Sequence, residues 1–224
     1  MVLELSHVTK VYSRGVRSVR ALDDVSFQVD AGEFVSLVGP SGCGKTTLLL
    51  IAGGLLRPDT GAVTVAGAEP YTLSPEQRSR FRVQNVGFVF QQFHLVPYLS
   101  VRENILSPVL AWWKGGLHER ADQLIERFGL GPRRDHRPGE LSTGERQRTA
   151  LARALLHQPK VILADEPTGN LDAPNADLVL RTLRECADEG AAVLLVTHDS
   201  SAADRADRVV PMQAGQVAEA SLTS

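Results

Sequence analysis

The chain is short of cysteine, aromatic residues, net charge and long apolar runs. Only Cys43 and Cys186 carry thiols among 224 residues. Two cysteines cannot make a disulfide framework, and a reducing compartment fits the composition. Aromatic residues make up 5% of the chain and the formal net charge is −2. That charge offers no bulk attraction to nucleic acid or to an anionic membrane, so no nucleic-acid partner is expected. No apolar run approaches the roughly 20 residues that cross a bilayer as a helix. The start, Met1–Val2–Leu3–Glu4–Leu5, lacks the basic region and apolar stretch of a secretory leader. What remains is ordinary globular composition, 43% hydrophobic and 22% charged. The length suits one large domain, or one domain with a subdomain.

What is present centres on Gly39–Pro40–Ser41–Gly42–Cys43–Gly44–Lys45–Thr46, which has the spacing G-x-x-x-x-G-K-[ST]. Phe34–Val35–Ser36–Leu37–Val38 before it reads as a buried strand. Thr47–Leu48–Leu49–Leu50–Ile51–Ala52 after it opens a helix. Glycines let the loop turn its N–H groups inward around phosphate oxygens, and the helix N-terminus adds a favourable dipole. Lys45 is expected to reach the β- and γ-phosphates and Thr46 to ligate Mg²⁺. Cys43 reads as a spacer at a variable loop position, one that would make the site sensitive to thiol reagents.

The N-terminal region alternates. Leu3–Val8 and Val25–Val29 have the period of antiparallel strands, with Ser13–Ser18 as a polar loop between them. Tyr12, at the start of that loop, either stacks on a base or simply ends a strand. Ala62–Gly67 reads as a further strand. Ser74–Pro75–Glu76–Gln77 has the form of a helix start. Val86–Phe90 reads as a core strand with Gln91 at its carboxyl end. From about Ser100 to Leu130 the pattern is helical, interrupted by a loop at Trp112–Trp113–Lys114–Gly115–Gly116. The cluster Arg133–Pro138 reads as a solvated link.

Leu141–Ser142–Thr143–Gly144–Glu145–Arg146–Gln147–Arg148 then precedes an amphipathic helix over Thr149–Leu156. A hydroxyl and a glycine at its N-terminus make a second anion site. Val161–Asp165 is an apolar strand ending in the pair Asp165–Glu166. Buried carboxylates are costly unless compensated. Beside Mg²⁺ and a water they make sense, Asp165 in the metal shell and Glu166 as general base. Pro167–Asp172 follows as a loop. Ala192–Thr197 is another buried parallel strand, and His198 joins Lys45, Gln91 and Glu166 at strand carboxyl ends, where α/β sheets bind ligands.

These pieces together resemble the nucleotide-binding subunit of ATP-binding cassette (ABC) transporters, over nearly the whole chain. The Leu141–Gln147 signature, lying between the phosphate loop and Asp165–Glu166, is the most specific part. No N-K-x-D guanine motif is present. Within the family the chain is most similar to the branch of lipoprotein-release, macrolide- or peptide-export and cell-division complexes. That similarity is carried by Gly87–Phe93, Asn104 and Pro167–Asp172, and Glu145 is common there. Thr143, where the family usually has glycine, is a departure that bears on catalytic rate.

The resemblance implies an α/β fold: a P-loop NTPase core with a mainly parallel sheet, an N-terminal antiparallel β subdomain and an inserted α-helical subdomain. One domain, 1–224, would divide into core and β subdomain (about 1–90 and 157–224) and helical subdomain (about 91–156). It implies that Tyr12 stacks on adenine. Gly39, Pro40, Ser41, Gly42, Cys43, Gly44, Lys45, Thr46 and Thr47 would form the Walker A loop. Ser142 and Gly144 would contact the γ-phosphate bound by a second subunit, and Asp172 would be the D-loop aspartate. Thr46, Gln91 and Asp165 would hold Mg²⁺. Glu166, His198, Gln91 and Lys45 would carry ATP hydrolysis.

The site would be complete only in a head-to-tail homodimer around two ATP molecules. The partner would be a separate permease on the inner face of the cell membrane. Its cytoplasmic helix would dock near Phe93, Val96, Pro97, Tyr98 and Leu99. A mechanical regulator of a cell-envelope process is the alternative to a transporter. A soluble DNA-repair or translation ATPase would need two cassettes or a coiled-coil insertion, and the chain has neither.

Overall fold

The computed structural model describes residues 1–14, 17–110, 112 and 115–218. Alternation in the N-terminal sequence builds a three-stranded antiparallel sheet. Strand β1 (Leu3–Arg14) lies between β2 (Arg17–Val29) and β4 (Thr60–Val65). Leu3 and Leu5 are buried and pair with Val29 and Phe27 on one side and with Val65 and Val63 on the other. The first two strands run further than the period-two pattern shows, and Ser13 pairs with Ser18 where a loop is expected. Register shifts between Leu5 and Val11 explain this. His7 there adopts φ 53°. Such irregularities re-phase the alternation, so the pattern breaks while the strand continues. Gly15 and Val16 lie outside the described residues.

The second sheet has six strands. These are β3 (Phe34–Val38), β5 (Val86–Phe90), β6 (Val161–Asp165), β7 (Ala192–Thr197), β8 (Arg208–Gln213) and β9 (Gln216–Val217), in the order β5-β6-β7-β3-β8-β9. All neighbours run parallel except the last pair. Strands covered on both faces read as continuous apolar runs, as β7 does with all six residues buried. Its period of two divides two cores. Leu194 and Val196 pack with helix α1 (Lys45–Ala52) and the antiparallel sheet. Val193 and Leu195 pack with helices on the other face, among them α6 (Ala173–Asp188).

Between β5 and β6 the chain forms the helical arm. It contains α3 (Val101–Leu106), α4 (Leu117–Arg127) and α5 (Thr143–Leu155). Ser100 caps α3 through a reciprocal pair of bonds with Glu103, and Ser142 caps α5 in the same way with Glu145. The same device starts α2 (Pro75–Asn85), just ahead of β5, at Ser74 and Gln77. Helix α5 therefore begins six residues earlier than its apolar stripe indicates. Trp113 and Lys114 of the expected interruption lie outside the described residues. Among the described residues no helix is long and apolar enough to cross a membrane.

Candidate active site

The phosphate loop is shaped by close packing. A Cβ on Gly39 would sit 2.1 Å from the Met212 carbonyl oxygen. Gly44 has φ 114°, and a Cβ there would lie 2.2 Å from the Ala21 carbonyl oxygen. Glycine is the residue both positions tolerate. The Gly215 N–H donates to the Cys43 carbonyl at 2.9 Å, and the Asp23 N–H donates to the Gly215 carbonyl at 2.9 Å. The β8–β9 turn thus ties the loop to strand β2. Cys43 is buried in the apolar core, away from the expected thiol chemistry. Lys45, also buried, donates through Nζ to the carbonyls of Gly39 at 2.7 Å and Pro40 at 3.0 Å.

Adjacent strand ends bring the remaining groups together. Helix α1 carries Thr46, whose hydroxyl donates to Asp165 Oδ1 at 3.2 Å. Burial pushes the Asp165 carboxyl above its ordinary range, against the bond from Thr46. Glu166 has φ 46°, a left-handed backbone that costs a residue with a Cβ about 1–3 kcal/mol. Its N–H donates to the Val196 carbonyl at 2.8 Å, which fixes the turn to β7. One carboxylate oxygen, Oε1, lies 2.7 Å from His198 Nδ1. The other, Oε2, accepts from the Thr197 hydroxyl at 3.2 Å. Gln91 follows Phe90, which pairs with Asp165. Its amide Nε2 is 3.0 Å from where a Cβ on Gly169 would stand.

The other expected residues lie around this centre. Tyr12 is exposed in β1, paired with Val19, with the Lys10 ammonium 5.9 Å from its ring centroid. Ser142 and Thr143 are exposed at the start of α5, whereas Gly144 is buried. Asp172 caps α6, accepting from the Asn175 N–H at 3.0 Å and its side-chain amide at 2.6 Å. Arg148 of α5 donates to the same Asn175 at 2.7 Å. Gln147, fully buried on α5, donates to the Pro167 carbonyl at 2.7 Å. The helix starting at the signature is thus bonded to the loop that follows Glu166.

Several of these residues escape sequence reasoning. Thr197, Gln147 and Asn175 act through hydrogen bonds between distant segments. Met212 and Gly215 support the loop from a region whose only local signal is a short apolar run followed by Ala214–Gly215. A groove of ≈ 320 Å³ lies beside the helical arm, lined by residues including Leu55, Val86, Phe88, Phe90, His94 and Arg153. The expected docking residues Phe93, Val96, Pro97, Tyr98 and Leu99 are not among those that line it. Arg153 donates to the carbonyls of both Phe93 and His94 at 2.6 Å. These two residues have left-handed φ of 60° and 46°; His94 lines this groove, while Phe93 borders a second one with Gln92, Leu95 and Pro138.

The donor set fits magnesium. Among the described residues no group of three or more His, Cys, Asp or Glu side chains forms a metal cage. One hydroxyl and one carboxylate beside a phosphate loop suit an ion that retains waters and takes phosphate oxygens.

Comparison with known proteins points the same way. Residues 22–169 match the family model described as ABC transporter. A lipoprotein-releasing system ATP-binding protein, LolD of Shewanella oneidensis, is 44% identical over 96% of this chain and 95% of its own. A macrolide export ATP-binding/permease protein, MacB of Chlorobaculum tepidum, is 42% identical over 97% of this chain. The chain spans about a third of the length of such MacB relatives, 34% in that case. A dimeric structure of the ATP-binding cassette MJ0796, in a post-hydrolysis state with ADP and Pi, superposes with a TM-score of 0.90. It is 35% identical, with 97% of each chain covered. A glycine-cradled loop, a hydroxyl–carboxylate pair and a glutamate–histidine pair at neighbouring strand ends thus occur in a chain that belongs to the ABC transporter family, as its ATP-hydrolysing cassette.

Proposed function

We propose that the chain powers a membrane permease by hydrolysing MgATP at composite sites in a head-to-tail homodimer. The observation that carries this reading is the arrangement of Thr46 against Asp165 and of Glu166 against His198 at adjacent strand ends. Lys45 and the amides of residues 39–47 bind the phosphates. Tyr12 stacks on adenine. Thr46, Gln91 and Asp165 would hold Mg²⁺, which would supply positive charge against that of the phosphates.

Water attacks the γ-phosphorus in line while the bond to the β–γ bridging oxygen breaks, releasing ADP. The water's proton passes to Glu166, and His198 contacts the γ-phosphate. Ser142 and Gly144 face the nucleotide of the second subunit, and Asp172 lies at that interface. ATP then favours the closed dimer and hydrolysis favours the open one, a switch driven by differential affinity.

In this reading residues 1–90 and 157–224 form the nucleotide-binding core and residues 91–156 the arm that follows the partner. The permease's cytoplasmic helix docks in the groove of Leu55, Phe88, Phe90 and Arg153. The work done is export or extraction of a lipid-linked, peptide or hydrophobic substrate, with the chain held at the inner face of the cell membrane through its permease; the names of the relatives, a lipoprotein-releasing system and a macrolide exporter, support the lipid-linked and hydrophobic cases.

The test is the solution mass of Glu166→Gln with and without MgATP. Removing the base leaves ATP bound, so a shift from monomer to dimer only with MgATP is expected. A variant that binds ATP and stays monomeric, with Thr143→Gly added as well as without it, refutes the composite site for the isolated chain.

A further inference from the structure

We infer that Thr197 is the positioning residue for Glu166, anchoring one carboxylate oxygen so that the other is free to work. This rests on the reading of Glu166 as the base. The Thr197 side chain is fully buried at the carboxyl end of β7. Its oxygen accepts from the Asp199 N–H at 3.0 Å. With that bond in place its own hydrogen points to Glu166 Oε2, 3.2 Å away. The hydroxyl is thereby committed as a donor to the carboxylate.

The two partners of Glu166 differ in freedom. The His198 side chain is 66% exposed, while Thr197 is 0% exposed and set within a sheet. An exposed ring changes rotamer readily, whereas a buried β-branched side chain in a strand does not. His198 holds Oε1 at 2.7 Å. In the proposed reaction His198 contacts the γ-phosphate, and a ring that turns toward it releases Oε1. Through that change, among the described residues, the Thr197 hydroxyl keeps its bond to the carboxylate. Glu166 needs such an anchor more than most residues, because its left-handed backbone aims the side chain from an uncommon turn. Asp199 in turn is fixed by capping α7 (Ser200–Ala203), its carboxylate accepting from the Ser201 N–H at 2.9 Å. The line Ser201–Asp199–Thr197–Glu166 therefore runs from a helix start to the base.

The experiment compares ATP turnover by the full chain and by Thr197→Val, Thr197→Ser and Lys45→Ala. Valine keeps the shape and removes the donor. We expect kcat to fall about tenfold in Thr197→Val, with KM for ATP within about twofold of wild type, because a displaced base lowers rate and not binding. Thr197→Ser, which keeps the hydroxyl, is expected to restore most of kcat. Wild-type kcat in Thr197→Val overturns the inference, and so does an equal loss in Thr197→Ser. If Lys45→Ala leaves turnover intact, the ATPase reading of the site has failed instead. A crystal structure of Thr197→Val, or of Thr197→Ala if valine does not fold, tests the anchor without turnover. Glu166 Oε2 is expected to leave its position, and a carboxylate unmoved from its place beside residue 197 overturns the proposal.

Discussion

Gly144→Ala separates two jobs that the signature glycine can have. The position is the second residue of α5, and it is buried. A Cβ there would lie 2.6 Å from three side-chain atoms of Asn175. Those atoms cannot simply swing away, since Arg148 donates to Oδ1 at 2.7 Å and Nδ2 donates to Asp172 at 2.6 Å. Overpacking of this kind costs about 1–3 kcal/mol. Alanine recovers at most about 1 kcal/mol of helix propensity over glycine. With about 1 kcal/mol recovered, the net loss is about 0–2 kcal/mol, or up to about 8 °C in Tm for a chain of this length. The assay is thermal unfolding of Gly144→Ala, Asn175→Ala and the double variant. In the Asn175→Ala background the obstruction is gone, so Gly144→Ala should be neutral or slightly stabilising, giving a coupling of about 1–3 kcal/mol. The exposed neighbour provides a contrast: Thr143→Gly should change stability by only a few tenths of a kcal/mol. A Gly144→Ala protein that melts higher than wild type, or a loss that persists without Asn175, refutes the packing argument.

Three further outcomes are expected. Gly39→Ala places a Cβ 2.1 Å from a backbone oxygen, whereas Gly42→Ala meets open space and only a positive φ of 80°. A fluorescent-nucleotide titration should show affinity falling about tenfold or more in the first and less in the second. The Glu145 carboxyl is held at about 2, below its ordinary 4.5, first by the Ser142 N–H and then by Arg133. A depressed carboxylate stabilises the fold above its unfolded pKa and loses that effect as pH falls. The stability gap between wild type and Glu145→Gln should therefore be full at neutral pH and close between about pH 4.5 and pH 2 in denaturant titrations. Burial pushes the Cys186 thiol up to about 11. At pH 8 only about a thousandth is then thiolate, so iodoacetamide should label Cys186 about a hundredfold or more slowly in the folded chain than in the denatured one, read by mass of the peptide that carries it. Equal rates would contradict the buried placement.

Much of the architecture is legible in sequence because the parallel sheet announces itself. Phe34–Val38, Val86–Phe90, Val161–Asp165 and Ala192–Thr197 are short apolar runs, each followed by a residue with evident chemistry. The register then follows from topology: Phe90 pairs with Asp165, and Asp165 with Val196. Gln91, Glu166 and Thr197–His198 consequently leave the sheet side by side. The antiparallel strands are legible only up to their irregularities, since a positive φ at His7 and shifted pairing break the period on which the reading depends. Helix α5 is misplaced by six residues for a different reason. The hydrophobic stripe marks where a helix packs, while Ser142 and Glu145 mark where it starts. The groove of Leu55, Phe88 and Phe90 is not legible from the segment after Gln91, whose Phe93 and His94 carbonyls are held by an arginine some 60 residues away in sequence. No local pattern records that contact.

The same distinction applies inside the site. Residues that touch a phosphate or a metal are constrained in type and spacing, so motifs reveal them. Residues that hold those groups are constrained only in position, and any donor of the right reach serves. Met212, Gly215 and Ala21 support the phosphate loop mostly through backbone atoms, which carry no signature in side-chain identity. Thr197 and Gln147 lie close to motif residues yet act across the fold, on Glu166 and on the Pro167 carbonyl. Their bonds connect β7 and the signature helix to one short turn, residues 165–172. In a dimer that turn would answer to both nucleotides, one through Asp165 and Glu166 and the other through α5. Two bonded connections run from the signature helix to that turn, Gln147 to the Pro167 carbonyl and Arg148 through Asn175 to Asp172.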